Sequence, residues 1–243
     1  MAAANMILEI PQFDHTPFYC EENVYLLCKK LITSGIADEK GSDLFVVFIS
    51  NEKKQIPLWH QKASHRADGL VLWDYHVICV QKKRDDDSPH PVVWDIDSTL
   101  QLPSSLGLYV ADAIRPSFQL FSEHQRYFRI VHAPLFLRSF ASDRSHMRDS
   151  SGNWTAEPPQ YDPIVAQDGT IHNLNEYIEI LDIDVSQIEP SLIDAVFTLK
   201  LGVVVDQGTD MGLRDNLRSH VMTPAVIVTG TGKEGTYGCL LVM

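Results

Sequence analysis

The sequence lacks the features that would direct the chain into a membrane or onto a nucleic acid. It has no uninterrupted apolar run of about 18 residues, the length that a membrane-spanning helix needs. Its 20 Lys and Arg residues are outnumbered by 32 Asp and Glu residues, and the formal net charge of -12 repels phosphate backbones and anionic lipids. We therefore expect no nucleic-acid partner and no membrane partner.

Cysteines are scarce, which excludes a disulfide scaffold. The four cysteines include no Cys-x-x-Cys pair of the kind used for zinc binding or redox chemistry. Residues 1–14 have neither the basic start nor the apolar run of a signal peptide. We expect free thiols and a cytoplasmic protein, with a nuclear location left open.

The remaining composition is that of an ordinary folded protein, with 44% apolar and 21% charged residues among 243. A chain of this length buries roughly 70% of its unfolded surface. Seven of the 13 glycines follow residue 200, and segment 229–236 is rich in Gly and Thr. The sequence predicts a single domain over residues 1–207, followed by an atypical, poorly ordered tail over 208–243.

Hydrophobic patterning predicts an α+β domain. Apolar residues with helical spacing, Val24, Leu27, Cys28 and Leu31, predict a helix that starts near Cys20 and ends before Gly35. Four segments rich in β-branched and aromatic residues predict strands, namely Leu44–Ser50, Leu70–Val80, Pro91–Asp97 and Tyr127–His132. Residues 140–159 are predicted to form a long irregular loop.

The short charged loop between the second and third predicted strands indicates antiparallel pairing, since it is too short for a crossover helix. If Val80 lies opposite Pro91, His76 lies opposite Asp95, with Asp97 diagonal on the same face. A register slip of two residues would exchange the roles of Asp95 and Asp97. Side-chain alternation then places Trp73 and Trp94 in the core on the other face of the sheet.

Cys20, His76 and Asp95 could together carry nucleophilic chemistry. A helix N-terminus and an imidazolium partner lower the pKa of a thiol, and a third polar group holds the imidazole in one tautomer. A neighbouring acid raises the thiol pKa, so the net direction is open. Each residue also fits a structural role, as a small buried apolar side chain, a core histidine and a turn carboxylate.

Two other groupings are weaker candidates. His60, His65 and Asp68 could bind a metal, but imidazoles five residues apart do not share a helix face, so a solvated loop is favoured. The adjacent Ser145 and His146 are unsuited to a catalytic pair because neighbouring side chains rarely point at each other. They are expected to belong to a loop that shapes a pocket.

Five segments together resemble the motifs of the protein N-terminal glutamine amidohydrolase family. They are Phe18–Asn23, Val47–Glu52, Trp73–Val77, Trp94–Asp97 and Phe140–Met147, of which Trp73–Val77 is the most specific. The resemblance extends from about residue 18 to about residue 205. It implies a monomeric α+β enzyme, similar in fold to papain-like and transglutaminase-like proteins, with an antiparallel sheet packed against helices and a cysteine at a helix N-terminus.

The resemblance also implies an activity. The triad would be Cys20, His76 and Asp95, which would hydrolyse the side-chain amide of an N-terminal glutamine in proteins and peptides through a thioester. The products are N-terminal glutamate and ammonia, no metal or organic cofactor is needed, and the new glutamate feeds the N-degron degradation pathway. Two alternatives are another cysteine protease or transglutaminase-like acyl transferase, and a non-catalytic binder of protein N-termini.

Selectivity for a chain terminus requires a carboxylate that binds the substrate α-ammonium group. Glu22, Asp74 and Asp143 are the candidates for substrate binding, and Glu21 is a further candidate for the same contact. Glu22 is favoured because the helix start places it near the thiol, although an acid in the first turn also complements the helix dipole.

Overall fold

A computed structural model provides the structure of the protein. It describes residues 12–82, 90–181, 184–185, 190–206, 227–231 and 237–241.

A six-stranded sheet with the order β6-β5-β4-β1-β7-β8 forms the centre of the fold, and each neighbouring pair is antiparallel. Its strands are β1 (Leu44–Ser50), β4 (His76–Gln81), β5 (Val92–Trp94), β6 (Ser104–Ser105), β7 (Tyr127–His132) and β8 (Val203–Asp206). Two shorter strands, β2 (Ile56–Leu58) and β3 (Val71–Trp73), pair with each other outside this sheet.

Helices cover both faces of the sheet. The helices are α1 (Cys20–Thr33), α2 (Leu106–Tyr109), α3 (Ala133–Ser139), α4 (Leu174–Ile178) and α5 (Pro190–Thr198); a π-helical turn covers Val110–Ile114, and 3₁₀ turns cover Ser122–His124 and Ser145–Met147. Alternate residues of β1 separate two cores. Phe48 packs with α1, α3 and α4, whereas Val47 packs with α5 and the π-helical turn.

The amphipathic pattern of α1 is confirmed. All four predicted apolar positions are buried against the sheet. Gly35 adopts a φ of 72°, a left-handed conformation that costs glycine little and ends the helix where the sequence predicts. At the other end, Asn23 binds both backbone polar groups of Thr16, so the chain entering the helix is held in place.

The strands Leu44–Ser50 and Tyr127–His132 are confirmed, whereas the predicted strand Leu70–Val80 is interrupted. Its first part is β3, which pairs with β2, and its second part is β4 in the main sheet. The Asp74 carboxylate accepts the Tyr75 amide, a local bond that competes with strand pairing between the two segments.

The predicted register between β4 and β5 is wrong by two residues. Val80 lies opposite Val93 rather than Pro91, and Trp94 lies opposite Cys79. Because side chains alternate with a period of two, a slip of two leaves every side chain on its original face, and the hydrophobic pattern cannot detect it. The connecting charged loop falls largely on residues 83–89, which lie outside the described residues.

The predicted loop over 140–159 is confirmed as irregular apart from the 3₁₀ turn and isolated bridges at Ser142 and Arg148. In the predicted tail, the structure describes β9 (Ile227–Thr231) and β10 (Tyr237–Leu241), which pair antiparallel. The rest of 208–243 lies outside the described residues, so poor order of the tail stays a prediction. No described helix has both the length and the apolar character needed to cross a bilayer.

Gly202 provides a test of how closely β7 and β8 pack. It has a φ of 61°, and an added Cβ would collide with the carbonyl group of Ile130. We expect Gly202→Ala to lower the free energy of unfolding by about 2 kcal/mol or more, measured by urea denaturation. Gly107→Ala is the control, because Gly107 is helical with open space around it and the change should be neutral or slightly stabilising. Equal stabilities of the two variants would contradict this packing.

Candidate active site

Cys20 lies at the first residue of α1, with 7% of its surface exposed at the wall of a cavity. Its thiol donates a hydrogen bond to Oε2 of Glu21 at 3.7 Å, and the Val77 backbone amide is close enough to lower the pKa of the thiol. The first intrahelical bond runs from the Asn23 amide to the Tyr19 carbonyl, so the amides of residues 20–22 precede the regular helical ladder. The thiol therefore lies at the wall of a cavity, close to backbone amides of the first helical turn that have no partner within the helix. It also lies close to the backbone of β4.

His76 is the first residue of β4 and is fully buried. Its Nε2 lies 3.1 Å from Oδ1 of Asp95, whereas its buried Nδ1 has no hydrogen-bond partner among the described residues. The Trp73 ring stacks on the imidazole, with centroids 5.4 Å apart and an interplanar angle of 15°. Asp95 at Nε2 and Trp73 on the ring face thus fix the orientation of the imidazole, and Nδ1 is left without a hydrogen-bond partner among the described residues.

The pairing of His76 with Asp95 occurs in spite of the shifted register. Continuing the ladder between β4 and β5 would place His76 opposite Asp97. The strand ends at Trp94 instead, and a turn closed by the bond from the Ser98 amide to the Asp95 carbonyl changes the direction of the chain. This turn brings the Asp95 carboxylate to His76, while Asp97 binds Nε2 of His15 at 2.7 Å.

Asp95 is held by several donors. Its Oδ1 accepts the Asp97 amide at 3.0 Å and its Oδ2 accepts the Tyr109 hydroxyl at 2.8 Å. Burial raises the pKa of Asp95, but the charge of His76 and the hydrogen bonds outweigh burial, so the pKa lies below its usual value. Burial lowers the pKa of His76, yet Asp95 outweighs it and the pKa lies above its usual value. Each residue therefore stabilises the charged form of the other.

The pKa of the Cys20 thiol is raised well above its ordinary value. Burial is the largest cause, followed by the negative charges of Glu21 and Asp97, and the hydrogen bond from the Val77 amide only partly opposes them. The lowering effect expected from the helix dipole is outweighed here. The thiol of the empty site is therefore predominantly neutral at neutral pH.

The cavity next to Cys20 has a volume of about 630 Å³. Its lining includes Cys20, Phe18, Lys54, Leu72, Trp73, Asp74, Tyr75, Asp97, His146 and Met147. Phe18 has a φ of 70°, which is strained for a residue other than glycine and places the strain two residues before the thiol.

The carboxylates considered for substrate binding occupy different environments. Asp74 is exposed and lines the cavity. Glu22 is fully buried, and its oxygens accept two bonds of 2.9 Å from the Arg144 guanidinium, which also lies 5.0 Å from the Tyr161 ring. Asp143 is exposed, accepts the Ser145 hydroxyl and lies 2.9 Å from Nδ1 of His172.

Glu21 is also fully buried and belongs to a small polar cluster with Tyr75 and His146. Its Oε2 accepts the Tyr75 hydroxyl at 2.9 Å, and its Oε1 lies 3.4 Å from Nε2 of His146. As expected, Ser145 and His146 do not form a pair, since Ser145 binds Asp143 while His146 contacts this cluster.

One group of described residues has donor atoms close enough for a metal ion. The donor atoms of His76, Asp95 and Asp97 lie within 4.8 Å of one another. Both Asp95 oxygens already accept hydrogen bonds, so the hydrogen-bonded network accounts for this geometry. His60, His65 and Asp68 form no such group among the described residues, and Asp68 instead binds Arg66 at 2.9 Å.

Sequence reasoning misplaced one tryptophan and missed several contacts. Trp94 is buried with Val77 and Cys79, as predicted, whereas Trp73 stacks on His76 because β3 leaves the main sheet. Tyr75 lies within the Trp73–Val77 segment, but the sequence does not indicate its hydrogen bond to Glu21. Tyr109 and His15 carry no sequence signal, because their contacts depend on how distant segments fold back.

Comparison with known proteins identifies the family. The sequence model described as N-terminal glutamine amidase matches residues 15–209. The chain belongs to the N-terminal glutamine amidase family. Relatives of this family named protein N-terminal glutamine amidohydrolase include one from Arabidopsis thaliana, 64% identical over 82% of this chain and 90% of that protein. Others are from Oryza sativa subsp. indica, 58% identical over 82% and 86%, and Bos taurus, 40% identical over 67% and 75%.

The amidase match includes every residue of the Cys20, His76 and Asp95 arrangement and stops at residue 209. It ends next to the predicted start of the tail at residue 208.

The buried ion pair between Glu22 and Arg144 gives a stability prediction. Arg144→Met would leave the Glu22 carboxylate buried without its counter-charge, which costs about 3–5 kcal/mol. We expect the double variant with Glu22→Gln to be less destabilised than the sum of the two single variants. A urea double-mutant cycle measures this coupling, and strictly additive effects would contradict the pair.

Proposed function

We propose that the protein hydrolyses the side-chain amide of N-terminal glutamine in proteins and peptides, giving N-terminal glutamate and ammonia. The names of its relatives support this activity. The observation that carries it is the arrangement of three side chains: Cys20 starts α1 at the cavity wall, and His76 starts β4 with its Nε2 3.1 Å from Oδ1 of Asp95. We assign Cys20 as nucleophile, His76 as acid and base, and Asp95 as the group that orients the imidazole.

In the first half-reaction, the Cys20 thiol proton passes to Nδ1 of His76, the ring nitrogen that Asp95 does not bind. The sulfur attacks the side-chain carbonyl carbon, and the backbone amide at the helix start stabilises the developing oxyanion. The imidazolium returns its proton to the amide nitrogen, and the carbon–nitrogen bond breaks. Ammonia leaves and a thioester remains.

In the second half-reaction, water attacks the thioester carbonyl while Nδ1 of His76 accepts a proton from it. The carbon–sulfur bond breaks, glutamate is released and the sulfur regains its proton. Asp95 stabilises the cationic ring in both halves, consistent with the raised pKa of His76. These steps use side chains of this chain and need no metal or organic cofactor.

The arrangement of elements supports the finer proposal of a papain-like or transglutaminase-like architecture. The proposed nucleophile starts a helix that packs on an antiparallel sheet, and the proposed histidine and aspartate lie on or directly after adjacent strands of that sheet. The fold alone does not assign a function, because one fold hosts many activities. The assignment therefore depends on the side chains at the site.

We propose Asp74 as the carboxylate that contacts the substrate α-ammonium group. Asp74 is exposed in the cavity that Cys20 faces, whereas Glu22 binds Arg144 and Asp143 binds Ser145 and lies against His172. Glu22 and Asp143 then act by holding the loop around Arg144. We further propose that the enzyme acts as a cytoplasmic monomer and that its product enters the N-degron pathway.

Ammonia release tests the proposed function. The wild-type protein is expected to release ammonia from a Gln-initiated peptide and none from a peptide with internal glutamine. Cys20→Ala should abolish release because the nucleophile is lost, whereas Cys28→Ala, at a buried thiol outside the site, should retain it.

Mass spectrometry separates the alternatives in the same samples. Deamidation adds about one dalton to an uncut peptide, a protease would cut the peptide, and a binder would leave it unchanged. Ammonia from Cys20→Ala at the wild-type rate, or none from either protein, would contradict the proposal.

Tyr109→Phe tests how Asp95 is held. The variant removes the donor to Oδ2 of Asp95 but keeps the buried ring. A hydrogen bond to a charged group contributes about 1.5–3 kcal/mol, so we expect kcat/KM to fall roughly tenfold or more. The melting temperature is measured alongside, and unchanged kinetics in a folded variant would contradict a role for this bond.

A further inference from the structure

Glu21 is a buried carboxylate that the proposed mechanism does not use. It directly follows Cys20, is 0% exposed and places Oε2 3.7 Å from the sulfur. Its Oε1 is buried with no hydrogen-bond partner among the described residues, and Nε2 of His146 lies 3.4 Å from it. Burial of an incompletely satisfied carboxylate is costly, which indicates that its charge has a use.

The groups around the thiol are mainly acidic. They are Glu21 on α1; Asp74, Tyr75 and His76 before and at the start of β4; Asp95 and Asp97 after β5; His146 in the 3₁₀ turn; and Lys54 on the cavity wall. His15 pairs with Asp97, Arg144 pairs with Glu22, and His76 pairs with Asp95. Glu21 has the His146 imidazole at 3.4 Å as its basic neighbour, and Asp74 has no ion pair among the described residues.

We propose that Glu21 makes the reactivity of Cys20 depend on an ammonium group in the cavity. Its carboxylate adds to the burial that favours the neutral thiol, and the substrate α-ammonium, bound at Asp74, offsets this charge and favours transfer of the thiol proton to Nδ1 of His76. The inference rests on the proposed function, because it takes the N-terminal glutamine as substrate. Glu21 acts through Cys20 and is a tuning residue rather than a catalytic one.

This arrangement provides selectivity for a chain terminus in the chemical step as well as in binding. An internal glutamine carries the same amide but no ammonium, so the thiol beside it stays neutral. A charge within about 4–6 Å changes a pKa by about one to three units, which is enough to change the thiolate population tenfold or more. The raised pKa of Cys20 in the empty site agrees with this role.

Thiolate absorbance in the ultraviolet tests the proposal without turnover. The probe is a norvaline-initiated tripeptide, which has a free α-ammonium but no side-chain amide, and its N-acetylated form is the control. The thiolate absorbance of Cys20 is taken as the absorbance of the wild type minus that of Cys20→Ser. At neutral pH we expect this difference to rise roughly tenfold with the free tripeptide and to stay low with the acetylated form.

Glu21→Gln should show a higher thiolate signal than the wild type without ligand and a smaller relative increase with it, because burial and Asp97 still favour the neutral thiol. Glu21→Asp, which keeps the charge, should behave like the wild type. Calorimetry establishes that the tripeptide is bound. A wild-type signal that does not change on binding, or a folded Glu21→Gln that remains as low as the wild type, would overturn the proposal. The wild-type arm decides the question even if Glu21→Gln does not fold.

Kinetics provide a readout that a merely structural role would not affect. A substrate whose terminal α-amino group is replaced by hydrogen should lose kcat in the wild type, in addition to the higher KM expected from the lost contact with Asp74. The ratio of kcat for the normal substrate to kcat for the substrate without the amino group should be smaller in Glu21→Gln than in the wild type. Ammonia release from the normal Gln-initiated peptide by the wild type, with no change in thiolate signal, would reject this inference while leaving the proposed function intact.

Discussion

The first turn of α1 is buried although it carries two consecutive carboxylates, and this constraint organises the site. A buried carboxylate needs partners, so Glu22 binds Arg144 and Glu21 binds Tyr75 beside His146. These contacts bring the 3₁₀ turn Ser145–Met147 and the segment before β4 against the start of α1. The cavity and the position of Cys20 at its wall follow from the contacts that these two acids make.

Local sequence patterns predicted the elements that build this site, because their signals are local. The spacing of apolar residues gave the extent of α1, and Gly35 marked its end. The break between β3 and β4 near Tyr75 could not be predicted, because it depends on one hydrogen bond that the Tyr75 amide donates to the Asp74 carboxylate. The two-residue error in the register of β4 and β5 could not be detected from the sequence, because a shift of two residues leaves each side chain on the same face of the sheet.

The partner of His76 was predicted correctly through incorrect geometry. Direct opposition in the ladder was the expected cause, whereas the structure brings Asp95 to the imidazole through a turn after β5. The contacts that complete the arrangement come from Tyr109, Trp73 and His15, which no spacing rule could connect to His76. Most contacts around the three proposed catalytic residues therefore depend on tertiary folding and not on local sequence patterns.

The covalent intermediate provides the most direct test of the account. A Gln-initiated peptide is mixed rapidly with the wild-type protein and quenched in acid, and the intact protein is weighed and then mapped by mass spectrometry. The account predicts an adduct with the mass of the peptide less one ammonia, located at Cys20. An adduct at any other residue, or ammonia release with no protein-bound species at any time before the steady state, would contradict it.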